Sequence, residues 1–327
     1  MTASARTTGT RGIALLMVLW VITILMVIVF SFSALARTET NAALGFREML
    51  EKGNLAEAGV ERGIMEIVYR KLKPKDVTEE AWRTDGTRYS IDVGEGHASV
   101  RIIDETGKID INMLNDASGI IMKNLLLLRG VPEEQADTIV DSLLDWKDTG
   151  DSDAHRLHGA ETDYYGTLPV PYSAKNANFD TVEELLLVKG MTPDILFGTR
   201  ERKGIDSLLT VHGMNAQINV NFAPEDVLAA IPGIGADFAG AIVSERRSRD
   251  TALTTTDLQT LLGQNYASAA PFITTAESLT FTIEASGHIA EKEQAAHAIR
   301  ATVTFSSDMG SYRYVYYKTP VTAANDR

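Results

Sequence analysis

The hydrophobic pattern divides the chain into three regimes. The first is residues 13–36, IALLMVLWVITILMVIVFSFSALA, a run of 24 residues without a charge. A helix crosses the roughly 30 Å hydrocarbon core of a bilayer with about 20 apolar residues, so this run is long enough to span one. A secretory signal has a shorter apolar region that ends in a small-x-small site. The one such signal here, Ser33-Ala34-Leu35-Ala36, lies at the far end of the run, which predicts a retained anchor. The flank before it carries Arg6 and Arg11 and no acid, which keeps the N-terminus cytoplasmic and the body outside. Beyond the bilayer the helical pattern continues: Val60, Ile64, Ile67 and Val68 recur at i, i+4, i+7 and i+8. No proline occurs between Gly12 and Pro74. The spacing predicts one helix from about 13 to 72, roughly 90 Å long, half in the bilayer and half on a globular domain.

After Pro74 the period changes to two. Arg88–Val93 and Ala98–Ile103 alternate around Gly94-Glu95-Gly96, which predicts a hairpin, and Gly107–Asn112 reads as a third short strand. Leu279–Ala285, Ile299–Phe305 and Tyr312–Tyr317 alternate in the same way near the C-terminus. Residues 113–274 between the two strand groups are largely helical. The economical organisation is one β domain, 73–112 with 275–327, interrupted by a helical insertion. Within the insertion, Leu127–Pro132, Leu187–Pro193 and Ala230–Gly235 echo one another as an apolar helix end, a Gly-centred hairpin and a second helix.

Charge adds direction. Residues 1–37 hold three arginines and no acid, and the remaining 28 basic residues face 44 acidic ones, a net of −16. Such a body repels nucleic acid and anionic lipid as a whole. With no cysteine there is neither a disulfide framework nor thiolate chemistry.

Candidate chemistry is confined to two places. The third repeat, Ile231–Val243, looks like a helix-hairpin-helix motif whose amides contact phosphate in DNA-binding proteins, and Arg246, Arg247 and Arg249 follow it. The alternative function this raises is a membrane-tethered DNA-binding or uptake protein; the acidic body and the missing double glycine in the other two repeats argue against it. The second place is Asp145-Trp146-Lys147-Asp148 through Asp151, Asp153, Glu161 and Asp163, six carboxylates within 19 residues. Like charges this dense are either solvated or bridged by a cation, and flexible carboxylate loops suit calcium, although no EF-hand frame is present. His155, His158 and Glu161 offer zinc a weaker alternative. No G-x-S-x-G, phosphate loop or nucleophile–base pair points to an enzyme.

The junction at Arg11-Gly12, followed at once by Ile13-Ala14-Leu15-Leu16, resembles the prepilin peptidase site of type IV pilins and type II secretion pseudopilins. The fifth residue after that junction is Met17, where most pilins have Glu. With Asp145-Trp146 through Gly159-Ala160-Glu161, Pro171-Tyr172, Lys175-Asn176, Val182–Leu185 and Ile218–Asn221, the chain resembles the K-class minor pseudopilin of the bacterial type II secretion system. The resemblance implies an α+β fold: a pilin-like long N-terminal helix packed on an antiparallel sheet, with a large all-α insertion. It implies cleavage of the basic leader 1–12 between Gly12 and Ile13 by prepilin peptidase, and methylation of the new N-terminus. It implies calcium, with Asp148, Asp151, Glu161 and Asp163 as ligands and Asp145 and Asp153 next. The expected role is a non-enzymatic cap at the pseudopilus tip, joined to I and J minor pseudopilins and the major pseudopilin. The expected address is the bacterial inner membrane, with the body periplasmic.

Overall fold

The computed structural model describes residues 10–72, 82–149, 155–249, 251–276, 278–289 and 292–321. One helix, α1 (Thr10–Leu72), runs for 63 residues. Its first half is long and apolar enough to cross a membrane, and its side chains from Ile13 to Leu35 stand exposed. Its second half buries Ala56, Val60, Ile64 and Ile67 against a sheet, the stripe that the sequence period predicts. The chain enters the helix before Gly12, so the expected cleavage junction lies inside it; the leader residues 1–9 lie outside the described residues.

The sheet is antiparallel and five-stranded: β1 (Asp85–Val93), β2 (Gly96–Asp104), β3 (Thr280–Ile289), β4 (Lys292–Phe305) and β5 (Tyr312–Val321), in that order. The hairpin turns at Gly94-Glu95, as predicted. The central pair joins segments far apart in sequence: Val100 faces Ala285 and Ile102 faces Ile283. Val100, Ile102, Ile283, Ala285, Ala301 and Val303 form the face that receives α1.

Gly107–Asn112 does not add a strand to this sheet. Asp104 ends β2 and caps a 3-10 turn, Glu105–Gly107, by accepting from the Thr106 amide and hydroxyl at 2.9 and 2.6 Å. The turn carries the chain off the sheet. Ile109–Asp110 then pairs in parallel with Leu209–Thr210, and Ile109 and Ile111 enter a second core. The β region therefore stops at Asp104, short of the expected boundary at 112, because the residues after the turn pair with Leu209–Thr210 and not with the sheet. That second core is built from α2 (Gly119–Leu128), α3 (Glu133–Lys147), α4 (Thr162–Gly166), α5 (Pro193–Leu196), α6 (Glu225–Ala230), α7 (Gly235–Arg247) and α8 (Thr255–Leu262) with their loops.

The internal repeats pair α2 with α3 and α6 with α7 across Gly130 and Gly233, whose φ angles of +75° and +84° an L side chain resists. The middle repeat is shorter: a 3-10 segment, Val182–Leu187, precedes Gly190 and the single turn of α5. Thr192 caps α5 by accepting from the Ile195 amide. The chain turns away at Gly198, whose missing Cβ leaves room for the backbone of Arg202 through Gly204.

Asp104 marks the passage between the two cores. It is buried, and its Oδ2 has no hydrogen-bond partner among the described residues. Burial raises its pKa from 3.8 to about 6, against the lowering effect of Thr106. A carboxyl raised in the folded state stabilises fully below its unfolded pKa, and that contribution is lost as pH rises through the folded value. Above pH 7 the ionised Asp104 costs about 3 kcal/mol by the one-unit equivalence. Asp104→Asn is expected to stabilise the protein at pH 8 and to leave it nearly unchanged at pH 4. Urea unfolding at the two pH values checks this; an equal effect at both would remove Asp104 as a source of the dependence.

Candidate functional site

The acidic stretch begins at the C-terminal end of α3. This helix carries Glu133 and Glu134 in its first turn, where the helix dipole favours negative charge. At the other end the dipole is negative and the sequence adds Asp145 and Asp148. Asp145 is only 1% exposed, because Leu143, Leu144 and Trp146 beside it are buried in the core. After the loop, Gly159-Ala160-Glu161 brings a third carboxylate to the same point. Oxygens of Asp145, Asp148 and Glu161 lie within 4.8 Å of one another. Gly159 makes the approach possible: a Cβ there would collide with Asp145 Oδ2.

The electrostatics are unfavourable to three anions. Burial raises the Asp145 carboxyl above its usual range, although Arg156 opposes the shift. Glu161 is raised too, first by burial and then by the charges of Asp148 and Asp145. Two buried carboxylates and the exposed Asp148, short of positive charge, fit a hard cation with oxygen ligands. Calcium is the expected ion, and Asp145, Asp148 and Glu161 are the residues that would hold it. Asp163 stands at the rim: it is exposed, accepts from the Tyr164 amide at 2.7 Å and adds to the charge acting on Glu161. Asp151 and Asp153 lie outside the described residues. The zinc alternative loses its histidines. His158 turns to Asp141, with its amide 3.0 Å and its Nδ1 3.2 Å from Oδ2. His155 is exposed, with its Nδ1 2.8 Å from the carbonyl of Arg156.

Arg156 was not singled out by sequence reasoning. Its Nη1 donates to Asp145 Oδ1 at 2.6 Å and to Asp148 Oδ2 at 2.9 Å, and its Nε donates to Asp116 at 2.8 Å. Its backbone amide also donates to Asp145, at 3.3 and 3.1 Å from the two oxygens. One more basic residue in a loop that already holds two histidines gives no local signal of this role.

Behind the carboxylates stands an aromatic cage. The indole of Trp146 lies edge-on to Tyr165 and Tyr172, at 5.2 and 6.1 Å, and stacks on Phe179 at 6.5 Å. Its Nε1 donates to Glu184 at 3.0 Å, and Lys175 bridges Glu184 and Asp180 at 2.8 Å each. The Asn176 amide donates to the Trp146 carbonyl. Motif residues that are distant in sequence thus meet around one ring. Farther off, Asn221 exchanges two hydrogen bonds with the backbone of Leu253, and Asn219 donates to Ala276.

The cations proposed for DNA do not face outward together. Arg246 is buried and donates to the carbonyls of Val220 and Ala223 at 3.0 and 2.7 Å. Arg249 is paired with Glu245 and Asp257. The hairpin itself is covered near Gly233, where a Cβ would stand 2.7 Å from the Asn265 carbonyl. Of the three arginines, Arg247 alone is exposed and unpaired among the described residues.

The family described as Type II secretion system (T2SS), protein K matches residues 107–198, a stretch that contains the whole acidic group and the aromatic cage. Over that stretch the chain is similar to type II secretion system protein K. The K protein of Klebsiella pneumoniae is 26% identical over 322 residues, 93% of this chain and 90% of its own length. The K protein of Pectobacterium carotovorum subsp. carotovorum is 27% identical over 202 residues, 57% of this chain and 60% of its own length. A chain from the crystal structure of the GspK-GspI-GspJ complex of the enterotoxigenic Escherichia coli Type 2 Secretion System shares the fold. Its TM-score is 0.64 at 16% identity, over 87% of this chain and 100% of that one. The α+β architecture is therefore the fold of that chain.

Replacing Trp146 by Ala empties the centre of the cage and is expected to cost about 3–5 kcal/mol. Trp146→Phe keeps most of the ring but removes the indole donor to Glu184 Oε1, at about 1–3 kcal/mol. Denaturant unfolding orders the two; a phenylalanine variant as damaged as the alanine variant would contradict the packing account.

Proposed function

We propose that this chain is a structural minor pseudopilin of a type II secretion system. It caps the pseudopilus tip with I and J minor pseudopilins above the major pseudopilin, and so supports protein export across the outer membrane. One observation carries the reading. The family match falls on the insertion and its acidic group, whereas the apolar N-terminal helix is generic among pilins. The complex named for the solved relative supports I and J subunits as partners. A tip position is supported by Met17, which lacks the carboxylate needed for the usual contact toward a subunit above, and by the bulk of the insertion. The body stands in the periplasm and the N-terminus in the cytoplasm, anchored in the inner membrane by the first half of α1. Prepilin peptidase cuts between Gly12 and Ile13, and the new N-terminus is methylated.

The role needs no catalytic residue. Calcium, held by Asp145, Asp148 and Glu161 with Asp163 next, supplies the charge that these carboxylates lack and ties the loop to the end of α3. The residues themselves do the positioning: Gly159 admits Asp145, and Trp146 fixes the helix end that carries it.

Processing tests the pilin reading. Gly12→Val expressed beside prepilin peptidase is expected to accumulate as uncleaved precursor on a gel and to abolish secretion; normal cleavage of the variant would sink the assignment. Calcium is tested separately by melting the full chain in detergent. A ligand at about 100 times its Kd adds about 2.7 kcal/mol, a rise of roughly 3 °C or more in a protein of this size. Identical curves in calcium and in EDTA would remove the metal.

A further inference from the structure

We propose that the Arg156 guanidinium is the built-in counter-cation of the acidic group, and that a divalent cation binds by displacing it, so that Arg156 sets the affinity of the site. This rests on the calcium reading above and adds the residue that tunes it.

The geometry is one of direct competition. Arg156 Nη1 stands 2.6 Å from Asp145 Oδ1 and 2.9 Å from Asp148 Oδ2, on two of the three carboxylates that converge. Calcium takes its oxygens at 2.3–2.6 Å, so the ion and that nitrogen would occupy the same space. The guanidinium is also an incomplete substitute. It brings one positive charge to Asp116, Asp145 and Asp148, and no Lys or Arg among the described residues pairs with Glu161. A divalent ion supplies twice the charge at shorter range.

Release of the guanidinium is built into its surroundings. The Arg156 side chain is 28% exposed, so it has a path to solvent. The backbone amide of Arg156 holds Asp145 independently of the side chain, so the carboxylate keeps its place when the guanidinium leaves. Asp116 is 78% exposed at its side chain and already accepts from Nε at 2.8 Å, which gives the departing group a partner outside the convergent three. A binding-competent state populated in only a fraction of molecules weakens apparent affinity by that fraction, and removing the competitor restores it.

The test is calorimetric titration of calcium chloride into the full chain in detergent, for wild type, Arg156→Gln and Arg156→Lys. The glutamine variant is expected to bind at least tenfold more tightly than wild type, equal to about 1.4 kcal/mol. The lysine variant, with its charge but without the fork, is expected between the two. Binding in the glutamine variant alone is the same result in its extreme form. Affinities equal within threefold, or weaker in the variants, overturn the competition and leave the calcium site standing. No binding heat in any of the three, with cooperative melting in each, overturns the calcium reading and the competition with it. Phenylglyoxal labelling of wild type, read by mass spectrometry, checks the displacement without a mutation. Calcium is expected to increase labelling at Arg156, and unchanged or reduced labelling overturns the proposal.

Discussion

Gly59 and Gly63 let α1 lie closer to the sheet than any side chain would allow. A Cβ at Gly59 would stand 2.9 Å from Ala285 Cβ and Val100 Cγ2, and one at Gly63 would stand 3.0 Å from Ile283 Cγ2. The sheet answers with Gly287, where a Cβ would collide with the backbone of Lys52 and Ala56. Glycine in a helix interior costs about 1 kcal/mol relative to Ala. Here the close approach returns more, by burying Val60, Ile64 and Ile67 on Val100, Ile102 and Ile283, at roughly 1.5–3 kcal/mol per buried aliphatic side chain. The same helix leaves its first half exposed and apolar. One continuous element therefore carries both the anchor and half of a core, and the sheet cannot be displaced without moving the anchor.

That constraint explains where the insertion is joined. The middle of the sheet is closed by β2 against β3, and the 3-10 turn after Asp104 takes the chain out at the end of that pair. Gly107 sits against the backbone of Phe222, 2.6 Å from where its Cβ would be. Lys108 pairs with buried Glu105 at 2.7 Å. Arg83 reaches across to the carbonyl of Arg246. The insertion is therefore held to the sheet by polar bonds at its base, and its own core of aliphatic residues is separate from the one under α1.

The long helix, the hairpin at Gly94 and the alternating C-terminal strands were all legible, because each depends on a local period that the sequence displays. The segment at Ile109 was not. Its alternation is real, but its partner is Leu209–Thr210, about one hundred residues away, and periodicity names no partner. The acidic group was legible as composition, and its geometry was not: Asp163 looks equivalent to Glu161 in sequence, yet only Glu161 points to Asp145 and Asp148. Arg246 shows the converse. Read beside Arg247 and Arg249 it is part of a basic cluster, but the helical period puts it on the buried face of α7 with Ile242 and Val243, where it serves the carbonyls of Val220 and Ala223.

The position of the acidic group at the end of α3 also says why it needs a cation of some kind. A helix C-terminus carries roughly half a negative charge, and Asp145 and Asp148 add to it where lysine or arginine would be favoured. Lys147 does not relieve the strain, since its ammonium turns to the carbonyls of Asn112 and Leu114. The carboxylates therefore gain their use only when something positive is bound, either the guanidinium of Arg156 or an ion from outside. Because Asp145 precedes Trp146 on one helical turn, whatever neutralises the carboxylate also steadies the ring around which Tyr165, Tyr172 and Phe179 pack. Charge at the surface and order in the core are thus set by the same two adjacent residues.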